Sequence, residues 1–202
     1  RPTVLARFAD KITVVKTPAA LSRTHEVDAA VAKTVSEMLS DIERRGRDAL
    51  YDYARQLDRW TGDDFTIPAA EVAASGGRLA PELRRAIEIG AENTRTFAEA
   101  TRAHLSDFEV EIVPGLVAGT RYIPVATVGA YLPAGRFPLT ASAFMTVGVA
   151  KAAGVPTVIA CTPPQPNGRH NDAVIYAAHV SVVDRSYLLG GIQALAAMAF
   201  GL

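Results

Sequence analysis

The sequence predicts an α/β fold in which a helical segment comes first and a doubly wound parallel sheet follows. The first half carries apolar residues at spacings of three and four, which is typical of helices packed on a core. After Ser106 apolar residues alternate with polar ones and β-branched residues become frequent, as in strands. Short apolar runs then alternate with helical segments, which predicts right-handed crossovers within a parallel sheet.

Helices account for the first half. The first helix, with Thr24 as its N-cap, is predicted to carry an apolar face formed by Val27, Val31, Val35, Met38 and Ile42. A second helix turns Leu50, Tyr53 and Leu57 inward. A third helix begins at "APEL", where proline fits the first turn. Its predicted core-facing residues share one helical face: Leu83, Ile87, Phe97 and Ala100.

Strands and helices alternate in the second half. Two strands are predicted to turn at Pro114 and Gly115. The following segments are predicted as helix, strand, helix, strand and helix: "LTASAFMTVGVAKAAG", "TVIACTPP", "DAVIYAAHV", "SYLLGG" and "IQALAAMAF". The predicted division is a helical part over residues 1–107 and a Rossmann-like α/β part over residues 108–202.

Composition excludes several classes of protein. Lys+Arg and Asp+Glu both number 21 among 202 residues, so no net charge indicates a nucleic acid or a charged membrane as partner. No apolar run reaches transmembrane length, and the single cysteine fits a reducing cytoplasm. The chain lacks an initiating methionine and ends on an uncharged apolar stretch, so we expect a piece of a longer protein.

Three loops follow predicted parallel strands: "GAYLPAGRFP", "CTPPQPNGRHN" and "LGGIQ". Ligands of open parallel sheets bind beyond the carboxyl ends of the strands, so these loops are the candidate site. In the first loop, Gly129 and Gly135 would let the backbone approach a ligand, and Tyr131 offers a ring and a hydroxyl. Arg136 is a candidate anion contact. A tight turn with a packed tyrosine is the alternative, and lack of a G-x-G-x-x-G pattern favours it.

The third loop places Gly190 and Gly191 before Gln193 at the start of a helix. The glutamine amide could bind a ribose or a carboxamide, or it could cap the helix. Arg169 of the second loop is either a further anion contact or a solvated arginine. No Cys/His cluster has metal-ligand spacing, and Cys161 follows an apolar strand, which favours a buried, inert thiol.

Several of these segments together resemble the histidinol dehydrogenase family in order and spacing: "IERRGRDALYDYARQLD", "VGAYLPAGRFPLTASAFM", "AKAAGV", "CTPP" and "LLGGIQALAAMAFG". The resemblance covers nearly the whole chain as the N-terminal half of a two-domain enzyme. It implies a homodimer that uses NAD and zinc to oxidise an alcohol through an aldehyde to a carboxylic acid. It further implies NAD contacts at Tyr131 and Gln193, and catalytic and zinc-binding residues beyond Leu202. For Tyr131 it therefore favours a cofactor contact over a ring packed in a tight turn.

The resemblance leaves the substrate open. L-Histidinol, oxidised to L-histidine in histidine biosynthesis, is the family's standard substrate. "GRFPLTASAFM" is closer to the branch of sulfopropanediol dehydrogenases, which oxidise 2,3-dihydroxypropane-1-sulfonate, because Ala134 stands where histidinol enzymes usually have glycine. A different class is an inactive fragment that binds a nucleotide or a partner subunit, since oxidation of an alcohol needs a base or a metal.

Overall fold

The computed structural model describes residues 28–135 and 137–202. The chain divides into two compact units, residues 1–36 and residues 37–202. In the first unit, the described residues are Asp28 and the start of helix α1, which runs over Ala29–Arg45. Asp28 caps this helix, since its carboxylate accepts a hydrogen bond from the backbone N–H of Ala30. The predicted cap, Thr24, lies outside the described residues.

The predicted helices and strands appear in the predicted order, and the structure adds a short strand at Thr66–Ile67 and a helix at Ala69–Ala74 that the sequence did not predict. The helices are α2 (Arg47–Asp58), α3 (Ala69–Ala74), α4 (Pro81–Ala103), α5 (Ala141–Ala143), α6 (Val149–Ala152), α7 (Asp172–Val180) and α8 (Gly191–Phe200), with a 3₁₀ turn at Ser75–Arg78 and a π-helical segment at Phe144–Gly148. The strands are β1 (Thr66–Ile67), β2 (Phe108–Val113), β3 (Leu116–Thr120), β4 (Thr127–Tyr131), β5 (Thr157–Thr162) and β6 (Arg185–Leu188).

The main sheet has four strands in the order β1-β6-β5-β4. β4, β5 and β6 are parallel to one another, and β1 joins the edge of β6 antiparallel. β2 and β3 form a separate antiparallel hairpin that turns at Pro114 and Gly115, as predicted. The mixed α/β architecture, with helices first and a largely parallel sheet after them, is therefore confirmed, while the division at residue 107 stays a prediction.

Helices cover both faces of the main sheet. On β5, Val158 and Ala160 pack in one cluster with residues of α4, α7 and the π-helical segment. Cys161 belongs to the opposite cluster, with residues of α2 and α8. This alternation follows from the period of two along a strand, and it gives the doubly wound arrangement predicted from the sequence.

One expectation about helix faces was wrong in part. Met38, Ile42, Leu50 and Ile87 are buried as predicted. The side chains predicted to face the core that are exposed instead are Val31, Leu57, Leu83, Phe97 and Ala100, while Val27 lies outside the described residues. Phe97 is exposed because it lines an open groove, together with Leu105 and Ile123. None of the described helices is long and apolar enough to cross a membrane.

Candidate functional site

The three predicted loops meet at one edge of the sheet. Because β4, β5 and β6 are parallel, their carboxyl ends lie side by side, and each loop starts there. The Gln165 amide of the second loop donates to the backbone oxygen of Ala134 in the first, at 2.9 Å. The backbone N–H of Gly191 in the third loop donates to the hydroxyl of Tyr131, at 3.2 Å. Hydrogen bonds therefore join the loops into one structure, which we call the carboxyl edge.

Tyr131 is the last residue of β4 and is half-buried. Its ring packs against the cluster formed with α2 and α8, as the packing alternative requires. Its hydroxyl nevertheless reaches the third loop and accepts the Gly191 N–H, so the hydroxyl proton stays available to a further acceptor. The residue thus combines a packed ring with a polar tip at the carboxyl edge.

Gln193 lies in the first turn of α8 with only 1% of its surface exposed. Its amide nitrogen donates to Asp58 Oδ2 at 2.9 Å, and the same oxygen accepts the backbone N–H of Gly190 at 3.1 Å. The amide oxygen, Oε1, is buried and has no hydrogen-bond partner among the residues that the structure describes. Gln193 does not cap α8, whose N-cap is Gly190 without any side-chain cap bond.

The predicted glycines differ in what surrounds them. A Cβ at Gly129 would lie 2.6 Å from Met198 Sδ, so this glycine lets α8 pack closely on β4. A Cβ at Gly190 would lie 2.9 Å from both Asp58 Oδ1 and Pro163 Cβ, so this glycine lets the third loop lie close to the second loop and to Asp58. Gly191 has a φ of +56°, which other residues adopt only with strain. A Cβ at Gly135 would meet no described atom within 4 Å, so packing does not explain that glycine.

The two predicted arginines are placed differently. Arg136 is outside the described residues, so its role as an anion contact stays a prediction. Arg169 is exposed, and its backbone N–H donates to Asn167 Oδ1 at 3.0 Å within the second loop.

Cys161 has the predicted character. The thiol is 3% exposed, and burial raises its pKa to about 12. His170 contacts Arg78 and Asp172, and its burial holds the pKa of the imidazole below its usual value. Within residues 28–135 and 137–202, no group of three or more His, Cys, Asp or Glu side chains is arranged to hold a metal ion.

Two cavities lie away from Tyr131 and Gln193. One, of about 250 Å³, is lined by α2, α8 and the sheet around Cys161. The other, an open groove of about 570 Å³, lies between α4 and the segment around Ile123. Tyr131 and Gln193 line neither of these cavities.

Two residues of the carboxyl edge were not predicted from the sequence. Asp58 holds the third loop from the end of α2, and Gln165 fastens the first loop to the second. A signal for Asp58 was present, because a carboxylate in the last turn of a helix opposes the helix dipole. Nothing in the sequence near Gln165 distinguishes it from an ordinary loop residue.

Known proteins similar to this chain have been named as dehydrogenases. The family model described as "Histidinol dehydrogenase" matches residues 21–202. Sulfopropanediol 3-dehydrogenase of Ruegeria pomeroyi is 41% identical over 182 residues, which cover 90% of this chain and 42% of that protein. Histidinol dehydrogenase of Methanosarcina barkeri is 39% identical over 171 residues, which cover 85% of this chain and 39% of that protein.

A solved structure agrees with the sequence matches. The crystal structure of histidinol dehydrogenase from Elizabethkingia anophelis superposes with a TM-score of 0.76 at 26% identity, covering all of this chain and 43% of that one. The chain thus spans about two fifths of the length of the proteins it matches. On the extent of these matches, the chain belongs to the histidinol dehydrogenase family.

Proposed function

We propose that the whole protein is an NAD-dependent, zinc-requiring alcohol dehydrogenase and that the carboxyl edge of this chain forms part of its NAD site. The reaction takes an alcohol through an aldehyde to a carboxylic acid in two hydride transfers to NAD. Membership in the histidinol dehydrogenase family supports the reaction class. One observation supports the location of the site. Where β4 and β6 end, Tyr131 accepts a hydrogen bond from Gly191, which begins the helix that contains Gln193.

The hydrogen-bonding groups at this junction fit a nucleotide cofactor. The Tyr131 hydroxyl retains a proton to donate, and Gln193 Oε1 is a buried acceptor that lacks a donor. A ribose hydroxyl or a carboxamide offers both a donor and an acceptor, so NAD could satisfy both groups. The open position of Gly135 leaves room for a ligand beside the first loop.

Zinc enters the proposal through the family alone. No ligand cluster is present among the described residues. We propose, from membership in the family, that other parts of the whole protein supply the ligands. When bound, the metal would polarise the alcohol oxygen and assist loss of its proton. We expect a chelator to abolish turnover while leaving NAD binding to Tyr131 and Gln193 largely intact.

Substitution of Tyr131 tests the NAD site. In the full-length protein, Tyr131→Ala should raise the Kd for NAD about tenfold, and Tyr131→Phe should account for the share due to the hydroxyl. Titration calorimetry measures both. The matched control is Tyr122→Ala, since Tyr122 is a half-exposed tyrosine outside the carboxyl edge. Equal NAD affinity in the wild type and Tyr131→Ala would refute the proposed site.

Two substrates remain in competition. Relatives named for sulfopropanediol and for histidinol are 41% and 39% identical to this chain, a difference too small to choose between them. Side-by-side assays of L-histidinol and 2,3-dihydroxypropane-1-sulfonate, with NAD and zinc present, should show turnover of one at least tenfold above the other. A yield of two NADH per alcohol supports the complete oxidation. NAD binding without turnover of either would favour an inactive nucleotide-binding protein.

We also propose that the protein is a homodimer and that the β2–β3 hairpin contributes to its interface. Apolar side chains on one face of β2, which include Val110 and Ile112, are exposed, an arrangement more typical of an interface than of a solvated surface. The double variant Val110→Glu/Ile112→Glu should therefore shift the mass in solution from dimer to monomer. Glu109→Lys, on the opposite face of β2, is the control. A double variant that stays dimeric would exclude the hairpin from the interface.

A further inference from the structure

Asp58 occupies an unusual place for a carboxylate. It is the last residue of α2, where the helix dipole disfavours a negative charge, and Arg59 after it adopts the left-handed conformation with a φ of 54°. Both features cost local stability. What Asp58 gains is two hydrogen bonds to loop three, from the Gly190 N–H and the Gln193 amide.

The chemistry of these bonds fixes the direction of the Gln193 amide. An ionised carboxylate only accepts hydrogen bonds, so the NH₂ group of Gln193 must face Asp58 and the carbonyl must face away. A reversed amide would place two oxygens against each other. With Asp58 in place, Gln193 therefore offers an acceptor, Oε1, to whatever lies on its other side.

That acceptor lies next to the carboxyl edge. Oε1 is 3.0 Å from the position of a Cβ on Gly191, the exposed residue whose N–H binds the Tyr131 hydroxyl. It is buried without a donor among residues 28–135 and 137–202, which is a costly state for a carbonyl oxygen. A ligand that supplies an N–H or O–H to Oε1 would remove this cost.

We propose that Asp58 is a positioning residue, which holds the Gln193 amide so that its oxygen is presented to a hydroxyl or amide donor of the bound cofactor. The inference rests on the proposed NAD site and extends it to a residue on a different helix. Asp58 itself touches Gly190 and Gln193 and acts on the ligand through them.

The test measures the Kd of NAD in the full-length protein by titration calorimetry, with thermal melting of each variant in parallel. Gln193→Ala and Asp58→Ala should each weaken NAD about tenfold. Asp58→Asn should restore affinity to within about threefold of wild type, because one amide oxygen can take over both bonds that Oδ2 accepts. Asp52→Ala, which removes an exposed carboxylate of the same helix, should leave the Kd unchanged.

A double variant separates positioning from general stability. If Asp58 acts through Gln193, Asp58→Ala/Gln193→Ala should bind NAD no more weakly than Gln193→Ala alone. The proposal would be overturned if the double variant lost NAD affinity by the product of the two single losses. It would also be overturned if Asp58→Ala bound NAD as the wild type does while Gln193→Ala bound it more weakly. If Asp58→Ala fails to fold, Asp58→Glu replaces it. That variant keeps the charge but displaces the carboxylate by a methylene, and it should weaken NAD several-fold, whereas unchanged affinity would overturn the proposal.

Failure of the NAD site itself gives a different pattern. Wild-type affinity in both Tyr131→Ala and Gln193→Ala would refute the proposed function, and the role of Asp58 with it. Impaired binding in those two variants, combined with unchanged binding in Asp58→Ala, would refute the role of Asp58 alone.

Discussion

The chain contains two β structures of similar composition and opposite environment. The parallel strands β4 to β6 lie between two layers of helices, and β5 has four buried residues among its six. In the β2–β3 hairpin every residue of β2 is exposed, including Phe108, Val110 and Ile112. β-Branched and apolar content thus predicts a strand, whereas burial depends on which other elements pack against it. Among the described residues, helices cover the sheet and leave the hairpin open.

The largest difference between these regions should appear when an apolar side chain is truncated. Leu132, directly after β4, is fully buried, so Leu132→Ala should cost about 2–5 kcal/mol of unfolding free energy. Ile112→Ala removes a similar side chain from the hairpin, which is exposed in the single chain, and should cost less than about 0.5 kcal/mol at a protein concentration low enough to dissociate the proposed dimer. Urea unfolding followed by fluorescence of Trp60, the only tryptophan, measures both.

The same two variants can also show that the contrast between the buried sheet and the exposed hairpin is absent in solution. A cost for Ile112→Ala close to that of Leu132→Ala would mean that the hairpin is covered in solution. Repeating the measurement at several protein concentrations then tests whether association supplies the cover, since an associating protein gains stability with concentration.

A smaller effect is expected from filling the space at a glycine. Gly129→Val places a side chain against Met198, where even a Cβ would come within 2.6 Å of Sδ, so we expect a loss of about 1–3 kcal/mol from overpacking. Gly77→Ala adds a Cβ that meets nothing within 4 Å and should change stability by less than about 0.5 kcal/mol. Equal stability of both variants in thermal melts would show that α8 does not press on β4 as described.

The smallest effect concerns an ion pair beside the sheet. The Lys151 ammonium, assisted by the Val158 N–H, holds the pKa of Asp184 below its usual value. A lowered pKa stabilises the fold above the unfolded-state pKa, and this stability is lost as the pH falls through the folded-state value. Asp184→Asn should therefore cost under about 1 kcal/mol at pH 7, since the carboxylate is 39% exposed, and nothing well below pH 4.

An exposed ion pair of the hairpin provides the control. Arg121 and Glu109 lie 3.7 Å apart with most of both side chains in solvent. Glu109→Gln should leave the unfolding free energy at pH 7 nearly unchanged, because an exposed ion pair contributes little to stability. A pH-independent difference between Asp184→Asn and the wild type would contradict the assignment to Asp184.

Element order was predictable from the sequence because local signals decide it. Proline at the start of α4, the turn at Pro114 and Gly115, and the change of hydrophobic period mark the boundaries directly. The inward face of α4 was not predictable in the same way. Ile87 packs in the core whereas Phe97 lines an open groove, and periodicity along a helix carries no information about which elements pack against each of its turns.

The candidate site was predictable in outline for a topological reason. Loops after parallel strands share one edge of the sheet, so the sequence alone places Tyr131, Gly191 and Gln193 in one group. Their partner Asp58 could not, because it lies 132 residues from Gly190 along the chain and joins the edge only when α2 packs beside α8. The spacing of residues in a sequence does not encode contacts of this kind.

Cys161 makes the interior of the fold accessible to kinetic measurement. It is the only cysteine of the chain, and its thiol lies between the sheet and the helices α2 and α8. An uncharged alkylating reagent can attack it only in molecules that have transiently opened there, because the buried thiol is both shielded and protonated. The alkylation rate, compared with that of the unfolded chain, therefore reports the free energy of opening at one defined sulfur atom.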